Sequence, residues 1–471
     1  MAPIPPKPAS RTGRFAFWRY VRNFRRDILS ANPDRLYDAK MAEMKLPFLH
    51  SFLVNDPALW RRVLDEDAAH FPKAERLAAG LEPLLGQGVF ISNGALWQSQ
   101  RRIIDPAFEG GRLRDVFPAM VEAGEAMTRR LRGLADGTPV EIEAQTSHAT
   151  ADVIFRAMFS VPIEDRAAAA VFQAFKTYQR TQPLLSLGAM LRLPRWLRHL
   201  LPSGLPRSKG RESRKAAGTI RALIAQLVTA RQAEIAAGTA PDDLATKIMT
   251  QRDPQTGATL DAQSTVDQVA VFFLAGHETS ASALAWALYC VAIDPPTQEA
   301  LRAESRDVLH PAMTLGDVGR LRLARDVFRE ALRLYPPVPM MVRDAARADL
   351  FRGRTVPKGA QVVISPWHLG RHRATWTEPD AFCPHRWQTD AGKTASRAGF
   401  IPFSAGARAC PGAGFAMIEG PLLLAMILRD FRVTPLADRV PVPVAQLTVR
   451  GRDGIWLALD SCSEPADFTR P

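Results

Sequence analysis

Ten residues around one cysteine constrain the fold of this chain more than any other feature. The stretch FSAGARACPG has the form Phe-x-x-Gly-x-Arg-x-Cys-x-Gly, with Phe403, Gly406, Arg408, Cys410 and Gly412 in its fixed positions. Glycine permits tight turns, and the N–H groups of such a turn can hydrogen-bond a sulfur atom. A thiolate presented in this way can ligate a haem iron. The alternative is a lone buried cysteine that packs as a small hydrophobe.

A long apolar segment lies upstream of this loop. Residues 262–293 contain no proline and are followed closely by two, which predicts one long helix through the protein interior. At its centre, Glu278 and Thr279 follow the small pair Ala275 and Gly276. A carboxylate and a hydroxyl are a minimal proton relay into a dry pocket. The alternative is that the hydroxyl bonds back to the helix backbone while the acid faces solvent.

A third motif is the pair Glu330 and Arg333 in FREALRLYPPVP, whose spacing places both side chains on one helix face. Apolar neighbours and the double proline after them indicate a buried helix. The alternative is a surface pair, which would stabilise the fold by less than about 1 kcal/mol.

These motifs, in this order, resemble those of the cytochrome P-450 superfamily of haem-thiolate monooxygenases, and the resemblance runs from about residue 34 to 460. It implies a mainly α fold with a smaller β-rich region, in which haem b lies between the long central helix and the cysteine-ligand loop. Residues 34–471 would form a single haem domain. Residues 1–33, which begin with a Pro-rich stretch expected to be disordered to about residue 12, would be a flexible basic segment.

The resemblance also implies a role for each motif. Cys410 would be the axial thiolate, which pushes electron density onto iron and favours O–O cleavage. In the long helix, Ala275 and Gly276 would make room for dioxygen. Thr279 would hydrogen-bond the dioxygen, and Glu278 would belong to the proton relay.

Haem propionates are anionic and need partners when partly buried. Trp97 and Arg101 lie four residues apart, so an indole N–H and a guanidinium can donate to one propionate. Arg343 matches the family position that often pairs with the other, and Arg408 is a further cation of the loop. The predicted cofactor-binding residues are Trp97, Arg101, Arg343, Phe403, Gly406, Arg408, Cys410 and Gly412.

In the family, the Glu-x-x-Arg pair is joined by a second arginine, and Arg386 in FCPHRW matches it. The residues on either side depart from the family pattern, with His for a common acid and Trp for a common Phe. Glu330, Arg333 and Arg386 would have a structural role, locking the loop that presents Cys410.

The substrate pocket is predicted to be apolar. By family position it would be lined by Phe272, Phe273, Val338, Met340 and Met341. Methionine side chains adapt to irregular shapes, and fatty acids, terpenoids and aromatic acids all remain open as substrates.

Composition narrows the class of protein. Hydrophobic residues make up 46% of the chain, which supports a large core. The four cysteines, Cys290, Cys383, Cys410 and Cys462, are too few and too scattered for a disulfide framework, which points to a reducing, cytoplasmic compartment. No uncharged run reaches the roughly 18 apolar residues of a transmembrane anchor, and no secretory signal is present.

Two basic-apolar segments leave a peripheral membrane contact open. In FAFWRYVRNFRRDIL, residues 17, 21, 24 and 28 form an apolar face among arginines. The alternative is that this helix packs on its own protein. The segment 184–201 raises the same question, and by family order it covers the substrate entrance.

The net charge of +13 suggests a partner. No nucleic-acid-binding motif is present, and a basic protein can steer an acidic partner toward it. No flavin or iron–sulfur module follows the cysteine loop, so electrons are expected from a separate ferredoxin, or a flavodoxin, with an NAD(P)H-dependent reductase. The alternative is that the charge only aids solubility.

The predicted function is that of a soluble, bacterial-type monooxygenase, which inserts one oxygen atom of O2 into an apolar organic substrate by hydroxylation or epoxidation. One alternative is a peroxide-driven peroxygenase or a haem-thiolate isomerase, relatives that often lack the acid–alcohol pair. Another is a non-catalytic haem sensor or electron carrier, which rarely needs a long region over a substrate entrance.

Overall fold

A computed structural model describes residues 2–10, 23, 27–46, 49–109, 111–181, 207–445 and 447–462. The segment 184–201 and most of the predicted basic helix near the amino terminus lie outside these residues. The helices are α1 (Pro57–Arg61), α2 (Glu75–Leu85), α3 (Gly94–Ile104), α4 (Arg112–Arg132), α5 (Ile142–Phe159), α6 (Arg166–Thr181), α7 (Arg207–Ala237), α8 (Leu244–Thr250), α9 (Ala262–Ala292), α10 (Pro295–Val308), α11 (Leu315–Val318), α12 (Arg322–Leu334), α13 (Pro366–Leu369), α14 (Asp390–Gly399) and α15 (Ala413–Asp430).

Helix α9 is the predicted central helix, and local signals set both of its ends. The Asp261 carboxylate caps its first turn by accepting the N–H of Ser264. The two prolines that follow the helix prevent its continuation. It packs against α5, α7, α12 and α15 and forms the axis of the main hydrophobic core.

The strands form small sheets beside this helical body. They are β1 (Met41–Leu46), β2 (Leu49–Val54), β3 (Asp136–Glu141), β4 (Met341–Asp344), β5 (Asp349–Phe351), β6 (Arg354–Val356), β7 (Gln361–Ile364), β8 (Phe431–Pro435), β9 (Pro443–Ala445), β10 (Val449–Gly451) and β11 (Trp456–Ser461). The largest has the order β1-β2-β7-β4, with β2 and β7 parallel, and covers a second, smaller core. The others are β3-β11-β8, β9-β10 and β5-β6. The predicted mainly α fold with a smaller β-rich region is therefore confirmed.

The sequence predicts helix after helix over residues 57–335 and a strand-like, irregular region over residues 340–400, and two elements differ from this. Strand β3 interrupts a region that reads as consecutive helices, because its partner β11 comes from the far end of the chain. Helix α14 lies in a region that reads as strand-like and irregular. Its sequence DAGKTASRAG has little apolar periodicity, and its start is fixed by the Thr389 hydroxyl, which accepts the N–H of Gly392.

The beginning of the chain also differs from the prediction of a disordered segment up to about residue 12. The carbonyl of Pro3 accepts the N–H of Phe382 at 2.9 Å. The Lys7 ammonium pairs with the Asp380 carboxylate at 2.6 Å. These contacts hold residues 2–10 against the loop that precedes α14.

Among the residues that the structure describes, no helix is both long enough and apolar enough to cross a membrane.

Candidate active site

The loop that carries Cys410 is a tight turn whose shape depends on glycine. The Cys410 N–H donates to the carbonyl of Phe403 at 2.8 Å. Gly406 has φ +62°, and a Cβ there would lie 2.6 Å from the Leu64 carbonyl oxygen. That neighbour is backbone, so a larger residue would displace the loop. The structure thus confirms the tight turn that the glycine spacing predicts.

The Cys410 side chain is accessible even though protein surrounds it closely. Burial among these protein atoms raises the pKa of the Cys410 thiol. A hydrogen bond from the N–H of Gly412 and the charge of Arg101 partly offset this rise. A Cβ on Gly412 would meet no described atom within 4 Å except the Cys410 sulfur, at 3.9 Å. The accessible surface of Cys410 therefore faces a recess inside the protein, beside which Gly412 leaves space.

Three cations gather around the indole ring of Trp97. The guanidinium of Arg408 lies 4.6 Å from the ring centroid, that of Arg101 6.0 Å and the Lys73 ammonium 5.8 Å. Arg101 also donates to the carbonyl of Ala409, directly before the predicted thiolate, at 2.7 Å. The cation cluster and the cysteine loop are therefore one structural unit.

Lys73 belongs to this cluster, although no motif in the sequence predicts its place there. Its backbone pairs with that of Arg343 in an isolated bridge, and its ammonium donates to the carbonyls of Val89 and Ser92 at 2.5 and 3.3 Å. Burial and the charges of Arg408, Arg343 and Arg101 lower the pKa of Lys73 to about 6. Burial and Arg408 lower the pKa of Arg343 to about 10.

The cluster carries more positive charge than its surroundings balance. Arg101 pairs with Asp105 at 2.7 Å, but Lys73, Arg343 and Arg408 have no ion-pair partner among the described residues. The Nε of Arg343 is buried without a hydrogen-bond partner. Because buried cations are costly without counter-charges, the cluster fits an anionic ligand. The two propionates of a haem match this requirement, and the accessible sulfur in the recess beside it matches the iron.

The predicted dioxygen site occupies one face of α9. From Thr265 to Ala292 every residue is buried except Ala275, Gly276 and Thr279, which are partly accessible. Thr279 lies three residues after Gly276 and four after Ala275, so it shares a helix face with each of them. The residues of the predicted dioxygen site are therefore the accessible positions of an otherwise buried stretch of the helix.

Two contacts refine the roles expected on this face. A Cβ on Gly276 would lie 2.6 Å from the end of the Ile154 side chain of α5, so a larger residue there would require that side chain to move. The Thr279 hydroxyl donates to the Ala275 carbonyl at 2.5 Å. Thr279 thus adopts the backbone-bonded geometry named above as the alternative, while the residue stays partly accessible.

The alternative also places Glu278 in solvent, but the structure buries its side chain. Its Oε1 accepts from Thr448 at 2.8 Å and pairs with the Arg450 guanidinium at 2.6 Å. Its Oε2 is buried without a hydrogen-bond partner. Both partners come from the segment of strands β9 and β10, a contribution that the sequence did not predict.

Comparison with known proteins assigns the family. A model of the cytochrome P450 family matches residues 26–453. The chain belongs to this family. Cyclooctatin synthase of Streptomyces melanosporofaciens is 30% identical over 414 residues, covering 87% of this chain and 86% of that protein. Human cytochrome P450 4X1 is 28% identical, with 89% and 83% covered, and the LUTEIN DEFICIENT 5 protein of Arabidopsis thaliana is 27% identical, with 89% and 71% covered.

This membership settles the cofactor and the class of enzyme. Cytochromes P450 bind iron protoporphyrin IX through a cysteine thiolate, and this chain is a haem-thiolate oxidoreductase of the monooxygenase class. The predictions of the family, the cofactor and the general activity are thereby confirmed.

The P450 has a buried ionic network around Glu330. Its carboxylate pairs with Arg333 at 2.7 Å and with Arg386 at 2.9 Å, and it accepts the N–H of Cys383 at 3.0 Å. Burial alone would raise the pKa of Glu330, but the two guanidinium groups outweigh this and lower it below its usual value. One ionised carboxylate is therefore held between two buried guanidinium groups, as the family motif implies.

The network contacts a different segment from the one predicted. Arg333 donates to the carbonyls of Gly370, Pro379 and Ala381, at 2.6, 2.6 and 2.9 Å. It thus fastens residues 370–386 to α12. Its connection to the cysteine loop is indirect: the ring of Trp387, which follows Arg386, packs against Phe400, three residues before Phe403, at 4.7 Å between centroids.

The predicted substrate-pocket residues fall into two groups. Val338 and Met340 are partly accessible, and Phe272, though largely buried, contacts Phe108. Phe273 is fully buried between Phe155 and Phe175. Phe273 therefore cannot line an open pocket here, because its position on α9 points it at α5 and α6. Met341 packs on the core under the β1-β2-β7-β4 sheet, whereas Met340 packs on the main core.

Replacing Lys73 with methionine is expected to speed haem release roughly 10- to 100-fold, because a hydrogen bond to a charged group contributes about 1.5–3 kcal/mol. The measurement is the rate of haem transfer to excess apomyoglobin. Lys393→Met, at a position whose side chain is 53% exposed on α14, is the control. Equal rates in the two variants would exclude Lys73 from the propionate site.

Proposed function

We propose that this P450 uses Cys410 as its axial thiolate and inserts one oxygen atom of O2 into an apolar organic substrate, by hydroxylation or epoxidation. Its electrons would come from a separate partner, an acidic ferredoxin or a flavodoxin with an NAD(P)H-dependent reductase. The observation that carries the proposal is the acid–alcohol pair of α9, in which Thr279 is partly accessible and Glu278 is buried in an ion pair with Arg450.

Haem, when bound, supplies the redox chemistry that activates dioxygen. The side chains of the protein bind the haem and supply protons. Trp97, Arg101, Arg343 and Arg408 would hold the propionates, with Lys73. The Thr279 hydroxyl would turn from the Ala275 carbonyl to donate a proton into the recess, and the unpartnered Oε2 of Glu278 would take up a proton that originates in solvent and pass it on to replace the one donated.

The apolar side chains near the recess, Phe272, Val338 and Met340, support an apolar substrate. No polar group among them would anchor a charged head. A compound library screened for the low- to high-spin shift of the Soret band would find the substrate class.

Oxygen uptake separates the reaction classes. We expect uptake that needs both NAD(P)H and a ferredoxin system and that yields oxygenated product from compounds found in the screen. A peroxygenase would form the same product from hydrogen peroxide alone, and an isomerase would consume neither reductant nor oxygen. A sensor or electron carrier would release no organic product. Any of these three results would overturn the proposal.

An exposed cation next to the cysteine loop supports an acidic partner. Leu113 lies against the start of α15, where a Cβ on Gly414 would meet it at 3.2 Å. Its neighbour Arg112 pairs with Asp115 at 3.3 Å, whereas Arg114 is exposed and has no ion-pair partner among the described residues. An acidic protein seated there would approach the side of the protein on which the cysteine loop lies.

Electron transfer from an acidic ferredoxin is expected to slow as salt rises, because charges are screened beyond about 10 Å at 0.1 M ionic strength. Arg114→Glu should weaken the salt dependence and raise the ferredoxin concentration needed for half-maximal reduction. Lys215→Glu, an exposed cation on α7, is the control. Stopped-flow reduction rates that stay flat with salt would reject electrostatic docking.

Thr279→Ala is expected to misdirect protons without stopping electron entry. NADPH consumption should stay comparable, while product per NADPH falls and hydrogen peroxide rises. Removing a general acid typically costs about 100-fold or more, but water can replace the hydroxyl, so we expect a smaller loss. The spin-state shift on substrate binding should change little, and unchanged coupling in both Thr279→Ala and Glu278→Gln would place the proton path elsewhere.

A further inference from the structure

Behind Glu278, one cation lies between two carboxylates. The Arg450 guanidinium is 2.6 Å from the Oε1 of Glu278, and its Nε is 3.7 Å from the Oε1 of Glu143, at the start of α5. Thr448 donates to Glu278 and accepts from the Arg450 Nε at 3.2 Å, which ties Arg450 to the Glu278 side. Glu143 is the more distant of its two partners.

The three side chains form a path from the interior toward solvent. The Glu278 side chain is 4% exposed, whereas those of Glu143 and Arg450 are 16% and 32% exposed. Glu141 is a further acid near Glu143, and its carboxylate already accepts the N–H groups of Glu143 and Ala144 and caps α5. One positive charge therefore serves two carboxylates, and the charge balances when one of them is protonated.

We propose that Glu143 is the solvent-side proton donor to Glu278, with Arg450 shared between the two carboxylates. A proton leaves the Glu143 carboxyl group and arrives on the Oε2 of Glu278. Arg450 then transfers its ion pair from Glu278 to the newly ionised Glu143. The number of charges in the cluster is the same before and after the step, so no unpaired charge is left in the protein interior.

The environment of Glu143 supports this role. Burial, together with the nearby carboxylates of Glu141 and Glu278, raises the pKa of Glu143 to about 7, while Arg450 and the N–H of Gly451 oppose the rise. A group that is about half protonated near neutral pH can both take a proton from solvent and release it.

The inference rests on the proposed function, but its main test does not need turnover. The test is an infrared pH titration of the ferric holoenzyme. In wild type, a protonated-carboxyl band should disappear as pH rises through about 7, and it should be missing in Glu143→Gln. Glu419, whose pKa burial raises to about 8, should contribute a separate band that both proteins retain.

Sharing of Arg450 is tested by Glu278→Gln. With its second carboxylate gone, Arg450 should pair with Glu143 alone, and the Glu143 midpoint should move down by roughly 1 pH unit, the low end of the effect of a nearby opposite charge. A midpoint that does not move, or the absence of any carboxyl that titrates near 7 and is lost in Glu143→Gln, would overturn the proposal whatever the activity of the enzyme.

Turnover gives the second readout, with dodecane as the apolar probe. Hydrogen peroxide formed per NADPH should rise in Glu143→Gln, and its pH dependence near 7 should vanish, whereas Glu143→Asp should restore both. Glu122→Gln removes a 61% exposed acid that pairs with Arg156 of α5 and is the control. Peroxide yields equal in Glu143→Gln and wild type would overturn the proton path even if the titration behaved as expected. A wild type that oxidises no substrate would instead count against the proposed function, and the titration alone would then decide this inference.

Discussion

Replacing Glu330 with alanine is expected to yield protein that fails to retain haem and unfolds far more easily than wild type. The carboxylate is completely buried and holds Arg333 and Arg386, which are buried too. Removing one partner of a buried ion pair costs roughly 3–5 kcal/mol, because the remaining charges lose their compensation. Here two guanidinium groups would be left without their carboxylate.

Haem loss should follow because the network holds residues 370–386 in place. These residues position Trp387, whose ring packs against Phe400 just before the cysteine loop. The measurements are the ratio of Soret to protein absorbance after purification and the midpoint of urea unfolding. Glu122→Ala, which breaks an exposed pair with Arg156, should change neither. Soluble, haem-loaded Glu330→Ala with a normal midpoint would show that the network is dispensable.

Features of the site that depend on local sequence could be predicted. The cysteine loop follows from glycines at fixed positions, and Gly406 indeed has a positive φ. The central helix begins and ends within about one residue of its predicted bounds, because an aspartate caps one end and prolines block the other. Its accessible residues, Ala275, Gly276 and Thr279, are those that the resemblance to the family motif singled out.

Features that depend on contacts between distant segments could not be predicted. Lys73 reaches the cation cluster because its backbone pairs with that of Arg343, and no motif or spacing in the sequence predicts that bridge. Arg450 reaches Glu278 from the β9–β10 segment near the other end of the chain. Phe273 was assigned to the pocket by family position, but its contacts with Phe155 and Phe175 depend on how α5 and α6 pack.

Replacing Cys410 with serine is expected to abolish the spectroscopic signature of a thiolate ligand. Among the cysteines of the chain, Cys410 alone lies in the glycine-bounded loop, beside Arg101 and the cation cluster. Cys290 is buried in α9, and burial raises the pKa of its thiol well above the usual range. Cys383 touches the Glu330 network through its backbone N–H, which serine would keep.

The most direct test of this account is the absorption spectrum of the reduced carbon monoxide complex of Cys410→Ser beside that of Cys383→Ser. We expect Cys383→Ser to keep the Soret band near the wavelength that gives the P450 family its name, and Cys410→Ser to lose it even where haem is retained. A Cys410→Ser variant that keeps the band, or a Cys383→Ser variant that loses it while Cys410→Ser does not, would contradict the assignment of Cys410 as the haem ligand.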